Sequence, residues 1–259
     1  MIGPSTMLLD ASIFSSYSQW LLTGLILFLA QTIYVLFGFG LGLIAVGILA
    51  LFIQPLTHVI VILLFVALPA EAYVIFTSWR KIEWKGLSIL AAGVTIGTVL
   101  GTLILKYGNP VFILTVLAGF LITAGFLFLI TDSARVIRWP LWVIPVIGLS
   151  AGLLAGMFGT GGPPLIFYYH LSGLKKEAFR GSLMALFTLM ALIRIPSYAL
   201  AGLITLPRIV SSLYLLPAVV GGIWLGNRIH VRISEEGFRR LVSIGLIIIG
   251  GLLLLKRYP

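Results

Sequence analysis

Two short glycine-rich segments interrupt long hydrophobic stretches, and both have the composition of an anion-binding turn. The first is residues 37–40 (Phe-Gly-Phe-Gly), and the second is residues 158–164 (Phe-Gly-Thr-Gly-Gly-Pro-Pro). A helix that starts beside such a break presents unpaired N–H groups and its positive dipole end, which bind anions. Glycine also lets a substrate oxygen approach the backbone closely. The alternative is that the glycines only permit tight turns and the prolines only bend a span.

Arg194 is a second kind of anion-binding group. It lies within the hydrophobic segment 178–204, and a charge near the centre of a membrane costs roughly 2.5–3.5 kcal/mol on insertion scales. Its planar donor fork matches several oxygens of an anion at once. The alternative is that the side chain snorkels to the outer interface. The predicted substrate-binding residues are Gly38, Phe39, Gly40, Gly159, Thr160, Gly161, Gly162 and Arg194.

Three more polar residues are candidates for a supporting or coupling role. Glu71 lies within the hydrophobic segment 57–79. An ionised Glu71 would repel an anion, so it either carries a proton in a coupled cycle or pairs with a cation. Gln31 and Tyr34 come about one turn before the first break, where they either donate to the substrate or take part in helix packing.

The residue types near the breaks argue against catalysis, and the spacing of the histidines favours interfacial placement over metal binding. Asp, Glu, Ser, Arg and His are all absent from 37–42 and 158–164, so no nucleophile or general acid–base is available there. The chain has no cysteine, and its three histidines show no metal-ligand spacing. We therefore predict no catalytic residue, no metal and no cofactor. A membrane enzyme acting on lipid phosphates is thereby disfavoured, whereas an anion channel remains an alternative to a transporter.

The composition places the chain in a membrane. Of its 259 residues 60% are hydrophobic and 9% are charged, which leaves no room for a separate soluble domain. The basic residues that give the chain its net charge of +10 lie in short connections between hydrophobic segments. Basic residues in such places act as topology signals rather than as a nucleic-acid surface. The predicted partners are thus the lipid bilayer and a small anion, without nucleic acid. The sequence does not reveal an oligomeric state.

The hydrophobic segments follow the same order in both halves of the chain. Each half contains a broken segment and then three long helices, which predicts two repeats, 1–132 and 133–259. Two Gly-x-x-x-Gly pairs, Gly97 with Gly101 and Gly222 with Gly226, occupy equivalent places and indicate close helix packing. The segments are about 19–37 with 41–53, 57–79, 86–106, 109–131, 141–157 with 163–173, 178–204, 209–227 and 238–255.

Charge distribution decides whether the broken segments cross the membrane or fold back. Crossing would divide sixteen Lys and Arg residues eight against eight, and one helix over 19–53 would be about 50 Å long. Folding back puts twelve on one side and four on the other, which obeys the positive-inside rule. The twelve are Arg80, Lys81, Lys85, Arg135, Arg138, Lys175, Lys176, Arg180, Arg228, Arg232, Arg239 and Arg240, and the four are Lys106, Arg208, Lys256 and Arg257.

The predicted fold is therefore an all-α polytopic membrane protein built from two inverted repeats. Each repeat is a glycine-broken re-entrant helical hairpin, about 19–53 or about 141–173, followed by three transmembrane helices. The odd number of crossings makes the second repeat enter from the opposite face. The two breaks then meet near the membrane midplane, and both chain ends lie outside the cytoplasm.

The second break also resembles a known family. Residues 156–164 (Gly-Met-Phe-Gly-Thr-Gly-Gly-Pro-Pro), followed by Leu-Ile-Phe-Tyr, are similar to the second-half motif of the TauE/SafE sulfite exporter family, also called the toluene sulfonate uptake permease family. The resemblance implies a permease of the bacterial inner membrane that moves sulfite or organosulfonates, usually outward. The first break, with Phe39 between its glycines, is bulkier than the family's usual run of adjacent glycines.

Overall fold

The computed structural model describes residues 11–37, 40–78, 80, 82–130, 139–228 and 235–256. The predicted site residues Gly38 and Phe39 lie outside this part of the chain. Helices and their connections make up the described residues, with no strand among them. The helices are α1 (Tyr17–Phe37), α2 (Leu41–Ala50), α3 (Leu56–Ser78), α4 (Trp84–Tyr107), α5 (Pro110–Ile130), α6 (Val143–Phe158), α7 (Gly162–Leu171), α8 (Lys176–Leu200), α9 (Leu206–Arg228) and α10 (Glu235–Leu255).

The all-α membrane fold predicted from the composition is confirmed. Within the described residues, five helices are long and apolar enough to cross a membrane: α1, α4, α5, α8 and α9. Large apolar side chains such as Leu103, Phe112 and Trp224 are exposed on the outside of the bundle. Hydroxyl groups such as those of Thr98 and Ser211 are buried inside. This distribution suits lipid surroundings, and the protein is membrane-embedded and multi-pass.

Glycine backbone conformations produce both breaks. Gly40, which precedes α2, has a φ of 110°, and Gly159, which ends α6, has a φ of 72°. Residues with a Cβ rarely adopt these angles, so glycine lets the backbone start α2 and end α6 there at low cost. Pro163 and Pro164 then lie in the first turn of α7, where a missing N–H group costs no hydrogen bond.

Each broken segment returns to the end at which it began. In the first, the Gln19 side chain near the start of α1 donates to the carbonyl oxygen of Phe52, just beyond α2, at 3.3 Å. In the second, the ring of Trp139 before α6 packs on the ring of Tyr168 near the end of α7, with centroids 6.0 Å apart. Both pairs of helices are therefore hairpins.

The glycines of α4 and α6 bring the two helix backbones into direct contact. A Cβ atom at Gly97 would overlap the carbonyl oxygen of Leu149, and one at Gly152 would overlap the carbonyl oxygen of Val94. Such close approach permits Cα–H···O contacts along the whole interface. The other members of this glycine ladder are Gly93 and Gly101 on α4 and Gly148 and Gly156 on α6.

Helices α9 and α1 pack in the equivalent way. A Cβ at Gly222 would lie 2.5 Å from the carbonyl oxygen of Phe28, and one at Gly226 would lie 2.9 Å from that of Thr32. The hydroxyl of Thr32 also donates to the carbonyl oxygen of Gly222 at 3.2 Å. The predicted packing role of both Gly-x-x-x-Gly pairs is thus confirmed.

Helices α3 and α8 pack on each other, as do α5 and α10. In the second pair, a Cβ at Gly125 would lie 2.7 Å from the carbonyl oxygen of Ser243, and one at Gly250 would lie 2.8 Å from that of Ala118. The first five helices correspond in order to the last five, α1 to α6 and so on to α5 and α10. When each helix is exchanged for its counterpart, the α3–α8 and α5–α10 pairs stay the same, and the α4–α6 pair becomes the α9–α1 pair.

Contacts near the starts of helices define the two ends of the bundle. At one end, the backbone N–H of Glu83 donates to the hydroxyl of Ser182 at 2.9 Å, so the starts of α4 and α8 are neighbours. At the other end, the Nε of Arg208 donates to the Nδ1 of His58 at 2.8 Å, which joins the starts of α9 and α3.

Candidate functional site

A cavity lies where the two hairpins meet α3 and α8. It contains about 520 Å³ of space between its atoms, part of it open to solvent. The residues that line it come from both hairpins and from α3 and α8. The lining residues are Tyr34, Gly40, Leu41, Gly42, Leu43, Leu63, Ala67, Glu71, Ala155, Gly159, Thr160, Gly161, Gly162, Phe187, Met190 and Arg194.

The start of α2, just after the first break, touches the second break at the cavity. A Cβ at Gly42, in the first turn of α2, would lie 2.8 Å from the Cβ of Thr160 and 3.1 Å from its hydroxyl oxygen. It would also lie 3.2 Å from the carbonyl oxygen of Gly159. Gly40, the described glycine of the first break, therefore shares the cavity wall with the second break.

The N-termini of α2 and α7 open onto the cavity. Neither helix has a side-chain cap, and the residues before them, Gly40 and Gly161, line the cavity wall. In α2 the first intrahelical bond is donated by Ile44, to Gly40, at 2.9 Å. The N–H groups of the preceding turn consequently have no acceptor within the helix. Their partial positive charge faces the cavity and favours negative charge there.

Arg194 adds a full positive charge to this wall. Its side chain is only 4% exposed, and its Nε and Nη1 atoms have no hydrogen-bond partner among the described residues. The Nη1 atom lies beside the second break, 3.2 Å from the position of a Cβ at Gly159. Arg194 therefore does not snorkel to an interface. It presents buried, unused donors to the cavity, and such donors are costly unless a ligand or water satisfies them.

Glu71 and Tyr34 also belong to the wall. Glu71 is 3% exposed, and its Oε1 accepts a long hydrogen bond of 3.5 Å from the hydroxyl of Tyr34. The Tyr34 ring stacks on Phe187 of α8, with centroids 6.5 Å apart. One buried acid and one buried base therefore share a single cavity.

Comparison with known proteins places this architecture in a family. The family model for the sulfite exporter TauE/SafE matches residues 23–253. The chain belongs to the TauE/SafE family. A curated relative, the probable sulfite/organosulfonate exporter TauE of Cupriavidus necator, is 31% identical over 227 residues, covering 84% of this chain and 87% of the relative. No solved structure matches the chain.

Membership of the TauE/SafE family settles the broad class of activity. Proteins of this family are exporters, so the chain is a membrane transporter and not an enzyme. The predicted resemblance is confirmed, and the alternative of an enzyme acting on lipid phosphates is excluded. Among the described residues, no group of three or more His, Cys, Asp or Glu side chains could hold a metal ion.

Gln31 lies apart from the other candidates of this TauE/SafE protein. It is fully buried but does not line the cavity. Its Cβ packs against α9, 3.0 Å from the position of a Cβ at Gly222. Both side-chain amide atoms lack hydrogen-bond partners in the described structure. Gln31 thus packs at the α1–α9 interface, and its supporting or coupling role stays a prediction.

The sequence predictions missed most of the apolar lining. Phe187 and Met190 lie on the same face of α8 as Arg194, and Leu63 and Ala67 lie on the same face of α3 as Glu71. Helical spacings of four and of seven or eight residues from the two buried charges would have identified them. The cavity thus combines two helix N-termini, one base, one acid and apolar side chains.

Proposed function

We propose that this protein exports small sulfur-containing anions such as sulfite or organosulfonates, and that it binds them between its two broken hairpins. The observation that carries the proposal is the set of N–H donors around one cavity: the first turn of α2, the glycines at the start of α7 that precede its two prolines, and the buried guanidinium of Arg194. Each of these groups favours an anion.

The chemistry of a sulfonate fits this donor set. Its several oxygens carry one negative charge, and a guanidinium can donate to two of them while backbone N–H groups donate to another. The hydroxyl of Thr160 supplies one more donor within the lining. Apolar side chains such as Leu63 and Met190 give a short carbon chain a surface to contact. The name of the Cupriavidus necator relative supports the same substrate class.

The proposed membrane arrangement is two inverted repeats, 1–132 and 133–259, each with a re-entrant hairpin. The hairpin contacts and the exchange of equivalent helix pairs between the halves support it. Helices α2 and α7 have 10 residues each, or about 15 Å at 1.5 Å per residue, which is half the hydrocarbon thickness. Their N-termini would then lie near the midplane, as in other transporters with discontinuous helices.

We propose the bacterial inner membrane as the location, with both termini outside the cytoplasm. The charges of the described residues support this orientation. The end of the bundle at which α4 and α8 start holds Arg80, Lys85, Lys175, Arg180, Arg228 and Arg240. The end at which α3 and α9 start holds Lys106, Arg208 and Lys256.

A ligand screen on the purified protein tests the proposal. Sulfite, sulfate, taurine, sulfoacetate and carboxylates of matched size would be compared by the rise in melting temperature that each produces. We expect sulfite or a sulfonate to stabilise the protein more than its carboxylate counterpart. Stabilisation by none of the sulfur anions would contradict the assignment.

Flux measurements separate a transporter from the alternative anion channel. In proteoliposomes, a transporter saturates with substrate because every molecule carried requires a conformational cycle. We expect saturation together with a strong temperature dependence. A flux that rises linearly with sulfonate concentration and depends weakly on temperature would favour the channel.

A further inference from the structure

The cavity contains a carboxylic acid in addition to the positive charge that binds an anion. Glu71 on α3 and Arg194 on α8 both line it, and α3 packs directly against α8. A bound anion would therefore share the single guanidinium with a buried carboxylate of the same sign. Like charges in a poorly solvated site repel each other strongly, because little water is present to screen them.

The cavity offers few other groups to balance that charge. Tyr34 of α1 and Arg194 of α8 are the titratable or charged side chains that line it together with Glu71 in the described structure. Helices α2 and α9, which also pack on α3, contribute no such side chain to the lining. With the cavity empty, ionised Glu71 and Arg194 balance each other. With an anion bound, the cavity is neutral only if Glu71 takes up a proton.

We propose that Glu71 is a proton-binding site and that one proton crosses the membrane with each monovalent anion. The inference rests on the proposed function, because it requires the anion to occupy this cavity. The proton joins a Glu71 carboxylate oxygen from the side at which the anion enters and leaves to the side at which the anion is released. The cavity is neutral in both the loaded and the empty state.

Two consequences follow from this balance of charge. Transport of a monovalent sulfonate is electroneutral, since one negative and one positive charge move together. The cell then loses the equivalent of the free acid without discharging its membrane potential. The direction of net movement follows the combined gradients of sulfonate and proton.

The experiment uses methanesulfonate, which stays ionised across the accessible pH range and so brings no proton of its own. Purified protein would be reconstituted into liposomes that contain a pH-sensitive dye. We expect methanesulfonate uptake to acidify the lumen by about one proton per anion and to produce no net current. Its dissociation constant should rise about tenfold per pH unit on the alkaline side of the titration, as the linkage of one proton requires.

The variant Glu71→Gln fixes the uncharged form at nearly the same size. It should bind methanesulfonate with an affinity that does not change with pH, and its transport should no longer acidify the lumen. Glu177→Gln is the matched control, because Glu177 is an exposed carboxylate on α8 outside the cavity. This control should keep the pH dependence of the parent.

The possible failures are distinguishable. Binding of methanesulfonate with a flat pH profile and no acidification would overturn proton coupling and leave the anion site intact. Absence of binding at every pH would overturn the proposed function itself. A pH slope that survives in Glu71→Gln, or a flux that requires sodium in place of a proton, would also overturn the inference. If Glu71→Gln does not fold, the measurements on the parent protein decide.

Discussion

Gly42 and Thr160 are in contact, although they belong to different halves of the chain. A Cβ on Gly42 would lie 2.8 Å from the Cβ of Thr160, a separation that non-bonded carbon atoms do not tolerate without movement. The absence of a side chain at Gly42 therefore lets the start of α2 pack against the second break. This contact joins the two hairpins at the cavity wall.

Replacing Gly42 tests that contact. Gly42→Ala should push Thr160 away, lower the stability by about 1–3 kcal/mol as overpacking does, and weaken anion binding. Thr160→Gly removes the opposing Cβ, so the double variant should recover part of the loss, with a coupling energy of about 0.5–3 kcal/mol between the two sites. Thermal melts with and without substrate provide the measurement. Purely additive effects of the two substitutions would show that these side chains do not meet.

Neighbouring glycines of the second break should respond differently to a methyl group. A Cβ at Gly161 would overlap the carbonyl oxygen of Ala151 and lie 2.8 Å from Met190, whereas at Gly162 the nearest atom is 3.5 Å away, in Ile166. Gly161→Ala should therefore destabilise the fold, by about 1–3 kcal/mol. The free energy of unfolding of Gly162→Ala should lie within about 0.5 kcal/mol of the parent's, as is usual away from such clashes. This variant should nevertheless bind the anion more weakly, because the methyl group narrows the cavity.

Comparison of the two variants also guards against misreading a folding defect. Weak binding by Gly161→Ala alone would not distinguish a damaged site from a damaged fold. The informative result is a stable Gly162→Ala protein with reduced affinity. A stable Gly162→Ala protein with the parent's affinity would remove Gly162 from the substrate-binding residues.

The glycine ladder between α4 and α6 should be essential for stability. Gly97→Ala would place a methyl group on the carbonyl oxygen of Leu149, whereas a Cβ at Gly119 on neighbouring α5 would have no atom within 4 Å. Gly119→Ala is thus the matched control, and it should be neutral or stabilising by about 0.4–1 kcal/mol through reduced unfolded-chain entropy. Gly97→Ala should lower the melting temperature measured in detergent. Equal melting temperatures for the two variants would contradict the observed helix contact.

The proposed orientation can be tested without background labelling because the chain has no cysteine. Single cysteines at Lys85 and Lys175 report on one end of the bundle, and those at Lys106 and Leu206 report on the other; all four residues are exposed. A membrane-impermeant maleimide should label positions 106 and 206 in intact spheroplasts. Positions 85 and 175 should react only after permeabilisation. The reverse pattern would place both termini in the cytoplasm.

Much of this architecture could be predicted because a membrane strongly constrains the hydrophobic pattern of a sequence. Hydrophobic segments long enough to span lipid and glycine breaks that recur in both halves gave the helices within a few residues, for example α9 at Leu206–Arg228 against a predicted 209–227. Arg194 and Glu71 could be selected as candidates because a charged side chain within a membrane is costly and is therefore usually functional.

The rest of the site depends on how the helices rotate against each other. Phe187 and Met190 carry no polar group, so only the orientation of α8 reveals that they line the cavity. Gln31 is polar and close to the first break, but its Cβ packs against α9 and it does not line the cavity. Glycine contacts fix the rotation of pairs such as α4 with α6 and α9 with α1, but a linear pattern only locates these glycines along a helix and does not assign them a partner. Helix α3 has no glycine, so the α3–α8 pair lacks even that signal on the α3 side.

Arg194 provides the sharpest test of anion binding. Its guanidinium is buried in the cavity wall and its Nε and Nη1 atoms lack partners, so it should bond directly to a charged substrate. Arg194→Met keeps the bulk and removes the charge, and it should weaken binding by roughly 1.5–3 kcal/mol, or about ten- to a hundredfold in affinity. Arg194→Lys should recover only part of this, since a point charge does not reproduce the planar fork. Lys106→Met, which removes an exposed charge at the end of α4, should bind like the parent. If Arg194→Met also kept the parent's affinity, the helix N-termini alone would have to hold the anion.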